Sequence, residues 1–447
     1  MINNKVLILG AGLVVKPMVK YLLGKGFKVT VASNTPENAI KMINGHPDGK
    51  SVDWSVGNDE MLDKMVAEHN LVVSFLPYVF HTVVAKFCIK NKKDMITASY
   101  VKPEMRALDE EARKAGIIIL NEVGLDPGID HMSAMRVIDH IRSKGGHVEE
   151  FYSLCGALPA PEAVDNPFAY KFTWSPKGVV MAGNNDAKYL KDGKIIEIPT
   201  KNLFKSPVKM NFENIGELEV YPNRDSLSYI DIYGINGVKT MYRGTLRYNG
   251  WSEIIDAMKQ MNLISYDKIS LKGKTYSDFI AGVIKQENKG DLKQKVAEYL
   301  GIKNDALPIK ALDWLGLFGN VDMKRVEASP FDIISDLMIE KMMLNENERD
   351  LVVMQHIFVA AYPEGKKEVI KSLMVDYGEV NGDTSIARTV ALPASIGVKL
   401  ILEGKIKVKG VQVPVIPEIY NPILDELETL NIKMEETFGL PLSEKPV

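Results

Sequence analysis

Short apolar runs alternate with helical stretches over the first quarter of the chain. The runs lie at residues 5–10, 28–32, 51–54, 71–75, 94–98 and 116–120, and most are rich in valine and isoleucine with little polar alternation. Strands buried on both faces of a parallel sheet have this pattern. Helical patterns lie between them, at residues 17–23, 60–68, 79–90 and 103–115. This alternation predicts a doubly wound α/β sheet.

The pattern changes after Asn121. Residues 121–250 mix loops rich in Pro, Gly and Asn with strand-like pieces such as 148–154, and residues 251–346 are largely helical in pattern. Residues 351–362 and 367–377 then predict a β-hairpin, and a final helix is expected over 385–403. A chain of 447 residues is too long for one core and suggests two or three domains.

Composition excludes several classes of partner. The net charge of −3 gives no reason to expect nucleic acid or an anionic membrane. The apolar run at residues 6–15 is too short to span a bilayer, and no other apolar run approaches the length of a membrane span. We therefore expect no membrane partner. Cys88 and Cys155 are too few for a disulfide framework, which makes a reducing cytoplasm the simplest compartment.

Gly10 and Gly12 stand where the first predicted strand ends and a helix begins. Glycine at both positions permits a tight turn and lets the backbone approach a pyrophosphate at the helix N-terminus. The third glycine of the usual pattern is absent, because Val15 stands in its place. We predict that Gly10, Gly12, Leu13 and Val14 bind a dinucleotide; the alternative is a flexible turn in an ordinary α/β domain.

The second strand ends in Ser33, Asn34 and Thr35, which include neither the acid typical of NAD enzymes nor an arginine. Small polar side chains accommodate a 2′-phosphate without repulsion, so the end of the second strand favours NADP. NAD remains the alternative cofactor. Asp53 and Trp54 end the third strand and are expected to flank the adenine.

Further cofactor contacts are expected at the carboxyl ends of later strands, where open α/β sheets bind ligands, and at the pocket wall. They are Phe75, Leu76, Thr97, Ala98, Leu125 and Trp174.

The loop at residues 121–132 carries three acids and one histidine on a Gly/Pro scaffold. Its alternative interpretation is a domain linker in which Asp130 caps the following helix. His131 is a lone histidine, which makes a poor case for a metal site, so we expect a loop or helix contact. Four more dense motifs follow, at residues 155–162, 170–176, 221–226 and 243–248.

These motifs, with residues 74–78 and 97–100, resemble those of the glutamate-forming saccharopine dehydrogenases. The resemblance extends from the first strand to the final helix. It implies an N-terminal Rossmann doubly wound parallel sheet (1–125), a second α/β substrate domain with a mixed sheet (126–250 and 347–395) and an inserted all-helical domain (251–346). Residues 396–447 are expected to pack back on the first domain. NADP-using members have an arginine where this chain has Asn34, and NAD-using animal members have an aspartate.

The resemblance also implies the substrate, saccharopine, which is glutamate joined through its nitrogen to the ε-carbon of lysine. In this family the matched substrate contacts are Ser99, Tyr100, Asp126, Arg224, Thr245, Leu246 and Arg247. Three carboxylates call for planar bidentate donors, and arginine supplies them. We expect Arg224 and Arg247 in turn-like segments bounded by Pro or Gly.

The expected reaction is reversible oxidation of saccharopine by a nicotinamide cofactor, NADP or NAD, to L-glutamate and 2-aminoadipate 6-semialdehyde. Imine hydrolysis needs a general acid/base, for which Asp126 is the first candidate, Tyr100 the second and Cys155 a further one. Two alternatives stay open: a related imine-reducing enzyme acting on carboxylated polyamines, and a non-catalytic nucleotide-binding protein. The oligomeric state is open, with a homodimer as one option.

Overall fold

The computed structural model of the protein describes residues 4–446. The chain forms two compact units: the first holds Met1–Val148 and His356–Val447, and the second holds Glu149–Gln355. The finer division into four segments stays a prediction.

The N-terminal part of the first unit alternates strands and helices, as predicted. The strands are β1 (Lys5–Leu9), β2 (Lys28–Ser33), β3 (Gly49–Asp53), β4 (Leu71–Ser74), β5 (Asp94–Ile96) and β6 (Ile118–Leu120). The helices are α1 (Lys16–Gly24), α2 (Pro36–Ile43), α3 (Asp59–Glu68), α4 (His81–Asn91), α5 (Pro103–Arg106), α6 (Asp109–Ala115) and α7 (Ile129–Ser143). The helical patterns named from the sequence do not include α2, and the helical pattern at 103–115 corresponds to two separate helices, α5 and α6.

The second unit begins within a long strand and contains most of the remaining helices. Its elements are β7 (His147–Pro159), α8 (Pro176–Ala182), β8 (Ala187–Lys191), β9 (Lys194–Ile198), β10 (Val208–Phe212), β11 (Gly216–Pro222), α9 (Ser228–Tyr233), β12 (Thr240–Tyr248), α10 (Trp251–Gln260), β13 (Ile269–Ser270), α11 (Tyr276–Val283), α12 (Leu292–Leu300), α13 (Leu307–Leu315), β14 (Glu327–Ala328), α14 (Pro330–Met342) and β15 (Asp350–Ala361).

The chain then returns to the first unit. The last elements are β16 (Lys367–Tyr377), α15 (Ser385–Leu402), β17 (Gly410–Gln412), α16 (Pro417–Thr429) and β18 (Glu435–Leu440). The predicted hairpin at 351–362 and 367–377 corresponds to the sheet neighbours β15 and β16, and the predicted final helix corresponds to α15.

The first sheet has the strand order β17-β6-β5-β4-β1-β2-β3, and all of its pairings are parallel. Val6, Leu7, Ile8 and Leu9 of β1 are fully buried, as expected of a strand covered on both faces. The strand order reverses between β1 and β4, and this is where open α/β sheets bind ligands. The predicted Rossmann sheet is confirmed.

The second unit contains a mixed sheet, which is also confirmed. Its strand order is β10-β11-β12-β7-β15, with β8 pairing with β12 and β9 pairing with β8. β12 is parallel to β7 and antiparallel to β11. β15 runs past Gln355 into the first unit, where β16 and β18 follow it in the sheet.

Helix α15 is the one described helix that is long and apolar enough to cross a membrane, with a mean hydropathy of 1.4 over Ser385–Leu402. Within the fold 78% of this stretch is buried, as is usual for a core helix. It packs against α1 and α16 within the first unit.

Candidate active site

The turn after β1 has the shape that a pyrophosphate needs. Gly10 has a φ of 106°, and a Cβ at this position would lie 2.9 Å from the carbonyl oxygen of Phe75, so only glycine fits. A Cβ on Gly12 would meet no atom within 4 Å, which leaves open space above the backbone. The first turn of α1 contains no acid, and the side chain of Val15 does not cap it. These residues therefore fit an anionic cofactor group at the helix N-terminus.

The end of β2 offers hydroxyl and amide donors. The Ser33 hydroxyl lies 3.0 Å from the Thr35 hydroxyl and accepts a hydrogen bond of 3.1 Å from the Thr35 backbone N–H. Asn34 and Asp53 are exposed at the ends of neighbouring strands. No lysine or arginine occurs in residues 33–37 or 53–58, so recognition of a ribose here would depend on neutral donors.

Trp54 packs into the core of the first unit. It is 4% exposed, clusters with Leu9, Leu62 and Met65, and donates its indole N–H to the Asn58 carbonyl over 3.1 Å. Its contact with adenine therefore stays a prediction, and the structure assigns its side chain a packing role.

The remaining predicted cofactor residues of the first unit lie along the ligand-binding edge of the sheet. Leu13 is 54% exposed; Val14, Phe75, Leu76 and Ala98 are half-buried; Thr97 and Leu125 are buried.

The two first candidates for acid/base chemistry are in contact. The Tyr100 hydroxyl donates a hydrogen bond of 2.9 Å to Oδ1 of Asp126. Asp126 precedes Pro127 through a cis peptide bond, and a Cβ on Gly128 would lie 2.0 Å from the Gly124 carbonyl oxygen. The tight loop that holds Asp126 thus depends on glycine at position 128.

Glu122 fastens the Tyr100 segment to this loop. Its Oε1 accepts a hydrogen bond of 2.8 Å from the Val101 backbone N–H, and its Oε2 lies 2.6 Å from Nε2 of His131. Its own backbone N–H donates to the Ser99 carbonyl over 3.2 Å. Both side chains of the Glu122–His131 pair are buried. The expected loop contact of His131 is confirmed, and it positions Glu122 beside Tyr100.

His81 is a residue that the sequence analysis missed. It begins α4, is 4% exposed, and lies 2.8 Å from the Ser74 hydroxyl through Nδ1 and 2.8 Å from the Ser99 hydroxyl through Nε2. Burial lowers the pKa of His81 to about 4, so the imidazole is neutral near pH 7. A histidine just after a strand end was the available signal, but nothing local linked it to Ser99.

The second unit presents a buried guanidinium group. Arg247 is 5% exposed and lies over two aromatic rings, 4.8 Å from the Tyr170 centroid and 5.4 Å from that of Trp251. Its Nη1 donates to the Leu246 carbonyl over 2.8 Å, whereas Nε has no hydrogen-bond partner among the described residues. Glu219 is its buried neighbour on β11, but no carboxylate among the described residues forms an ion pair with Arg247 within 4 Å. A buried cation with free donors fits an anionic ligand.

The expectation that Arg247 lies in a turn was wrong, because it lies within β12. Strand pairing explains its burial, since β12 has β11 on one side and β7 on the other. Arg224 does lie in a loop after β11, is exposed, and has a φ of 48°.

Three other predicted residues of the second unit cluster beside Arg247 on β12 and β7. Thr245 on β12 pairs in register with Cys155 on β7. Gly156, which follows Cys155, packs closely against Leu246, since a Cβ on Gly156 would lie 2.8 Å from that residue. Trp174 is half-buried before α8. Among residues 4–446 no group of three or more His, Cys, Asp or Glu side chains is arranged to hold a metal ion.

Two family models match the chain. One is described as the saccharopine dehydrogenase NADP binding domain and matches residues 6–120; the other, the saccharopine dehydrogenase C-terminal domain, matches residues 124–432. Over 455 aligned residues the chain is 39% identical to saccharopine dehydrogenase (NADP(+), L-glutamate-forming) of Saccharomyces cerevisiae, and the alignment covers 100% of both. The chain belongs to the saccharopine dehydrogenase family.

This saccharopine dehydrogenase family member also resembles longer proteins. It is 38% identical to the mitochondrial alpha-aminoadipic semialdehyde synthase of Bos taurus, over 96% of this chain and 47% of that one, and so spans about half of that relative. A solved structure of apo saccharopine dehydrogenase (L-Glu forming) from S. cerevisiae superposes with a TM-score of 0.89 at 36% identity, covering 98% of this chain and 100% of the other. The family resemblance read from the motifs is confirmed.

Proposed function

We propose that the protein catalyses the reversible, NADP-dependent oxidation of saccharopine to L-glutamate and 2-aminoadipate 6-semialdehyde. The observation that carries this proposal is the buried guanidinium of Arg247, whose Nε has no hydrogen-bond partner among the described residues and which forms no close ion pair there. A carboxylate of the substrate would supply a close partner for this guanidinium. A carboxylated polyamine would instead need buried acids to balance its amines, and Arg247 does not favour such a ligand.

The turn at Gly10 and Gly12 and the N-terminus of α1 would hold the cofactor phosphates. When bound, NADP supplies a hydride acceptor, which allows the secondary amine of the substrate to become an imine. The preference for NADP is supported by the name of the yeast relative and by the NADP-binding family model.

The residues of the chain then bind and orient the substrate and transfer protons. Asp126, oriented by the Tyr100 hydroxyl, is proposed to take a proton from the substrate nitrogen and to assist the addition of water to the imine. Arg247 is proposed to bind a substrate carboxylate through its free donors and so to restrict the orientation of the substrate. Arg224, which is exposed, is proposed to contact a second carboxylate.

The assembly and the compartment are proposals as well. We propose a reducing cytoplasm, where Cys88 and Cys155 remain thiols, and a homodimer. Light scattering coupled to size-exclusion chromatography measures the mass, and a value matching one chain would contradict the dimer.

The test of the activity is a spectrophotometric assay of purified protein with saccharopine and NADP or NAD. We expect reduced cofactor to accumulate with NADP, and glutamate to form in equal amount. An absence of turnover with both cofactors, or turnover without glutamate, would overturn the proposal.

A further inference from the structure

His81 connects three hydroxyl groups inside the first unit. Its Nδ1 lies 2.8 Å from the Ser74 hydroxyl, and its Nε2 lies 2.8 Å from the Ser99 hydroxyl and 3.3 Å from that of Thr97. Ser74 is fully buried at the end of β4, and Thr97 is 1% exposed. Ser99 is half-buried. The imidazole thus joins a fully enclosed hydroxyl to one that a ligand can reach.

The neutral imidazole carries one hydrogen, and its position follows from the hydrogen bonds around it. Within residues 4–446, His81 is the one hydrogen-bond partner of the Ser74 hydroxyl. If Nδ1 carried the hydrogen, the Ser74 hydroxyl hydrogen would be buried without an acceptor. Ser99 and Thr97 would then also compete for the single lone pair of Nε2, so one more hydroxyl would be left without a proper partner.

Placing the hydrogen on Nε2 satisfies more of the fully buried hydroxyls. Ser74 then donates to Nδ1, and Nε2 donates to the Ser99 oxygen at the shorter of its two distances. The hydrogens of the Thr97 and Ser99 hydroxyls then lack an acceptor within the network, but Ser99 is half-buried and can donate outside it, so Thr97 is the one fully buried hydroxyl of the three left without an acceptor. Since buried unpaired donors are unfavourable, the Nε2–H form is the one that the geometry selects.

This choice sets the role of Ser99. Its oxygen accepts from His81, and it has no other side-chain partner among the described residues, so its hydroxyl hydrogen points to an acceptor outside this network. We propose that His81 is a positioning residue that makes Ser99 a hydrogen-bond donor toward a carboxylate oxygen of the substrate. This inference rests on the proposed function, which supplies the carboxylate.

The tautomer can be measured without any substrate. Nitrogen NMR of the full chain with isotope-labelled histidine distinguishes Nδ1–H from Nε2–H, and the His81 signals are identified among the seven histidines by their loss in His81→Gln. We expect the Nε2–H form from pH 6 to 8 (about neutrality), with no titration in that range. An Nδ1–H form or a titrating ring would overturn the inference.

Steady-state kinetics test the effect on Ser99. Removing a hydrogen bond to a charged group should raise the KM for saccharopine roughly 10-fold or more in Ser99→Ala and in His81→Phe. The double variant should be no worse than either single variant, because both changes remove the same donor. His81→Gln keeps an amide N–H near the position of Nε2 and should restore most of the affinity. The KM for NADP should stay unchanged in all of these variants.

His69→Gln is the matched control, because His69 is also buried in this unit but bonds to the Met65 carbonyl and the Thr30 hydroxyl. It should leave the KM for saccharopine unchanged. An unchanged KM in Ser99→Ala, or additive effects in the double variant, would overturn the inference. If the wild-type protein does not oxidise saccharopine at all, the proposed function fails, while the NMR result still decides the tautomer.

Discussion

The Tyr100 hydroxyl donates a hydrogen bond of 2.9 Å to the Asp126 carboxylate. These residues are 26 positions apart, and the loop that Glu122 ties down brings them together. A carboxylate that already accepts one hydrogen bond is held in one orientation. This fixed orientation is what the proposed proton exchange with the substrate nitrogen requires.

Replacing Asp126 should therefore affect chemistry more than binding. We expect Asp126→Asn to lower kcat by roughly 10²–10⁴-fold, the usual contribution of a general acid/base. Tyr100→Phe removes the orienting hydrogen bond but leaves the carboxylate in place, so it should lower kcat less. The pH profile of kcat should lose one limb in Asp126→Asn but keep it in Tyr100→Phe. Near-normal kcat in Asp126→Asn would exclude this residue as the acid/base.

Arg247 should govern substrate affinity. Arg247→Lys keeps the charge but loses the planar set of donors, so we expect the KM for saccharopine to rise about 10- to 100-fold, with the KM for NADP unchanged. Arg224→Lys is the exposed counterpart and should have a smaller effect, because solvent weakens its interactions. If Arg247→Lys instead weakens NADP binding and leaves saccharopine affinity intact, the proposed role is wrong.

Two glycines of the same turn should respond differently to alanine. Gly10→Ala places a Cβ 2.9 Å from the Phe75 carbonyl at a φ of 106°, so we expect it to lower the free energy of unfolding by about 1–3 kcal/mol. Gly12→Ala meets open space and should leave stability unchanged, while its methyl group obstructs the phosphate and raises the KM for NADP. Denaturant unfolding and kinetics on both variants check this contrast. Equal stability loss in the two would contradict it.

His81 should make the stability of the protein depend on pH. Because its pKa falls from 6.5 to about 4 on folding, the unfolded chain binds more protons between these values, and the free energy of unfolding decreases as the pH drops. The full effect is about 3 kcal/mol, since one pKa unit corresponds to about 1.4 kcal/mol.

The measurement is urea unfolding of wild type and His81→Gln at pH 7, 5.5 and 4 (about one and a half units apart). His69, whose pKa burial also lowers, contributes a slope of the same sign in both proteins and cancels in the difference. As the pH falls, we expect the free energy of unfolding to decrease more in wild type than in His81→Gln, because only wild type contains the buried imidazole of His81. A constant difference would show that His81 is not neutral in the fold.

Sequence patterns predicted much of the first unit. The apolar run around β1 predicts a strand that is buried on both faces. The glycines that follow it predict a tight turn, because glycine adopts a positive φ without strain. Both predictions depend only on residues that are neighbours in the sequence. The family motifs likewise predicted Tyr100, Asp126 and Arg247, although the placement of Arg247 in a turn was wrong. Whether the predicted cofactor and substrate residues act as assigned stays a prediction.

Other features depend on contacts between distant residues. β17 has only three residues, Gly410–Gln412, and is a strand because β6 offers it a parallel edge. The burial of Arg247 depends on pairing of β12 with β7 and β11, and the link from Ser74 through His81 to Ser99 joins three separate segments. The sequence by itself determined local conformation and the types of chemical groups, because steric and hydrophobic preferences act over neighbouring residues. Only the tertiary structure decided which groups meet, since hydrogen bonds and burial depend on atoms that the chain brings together from far apart.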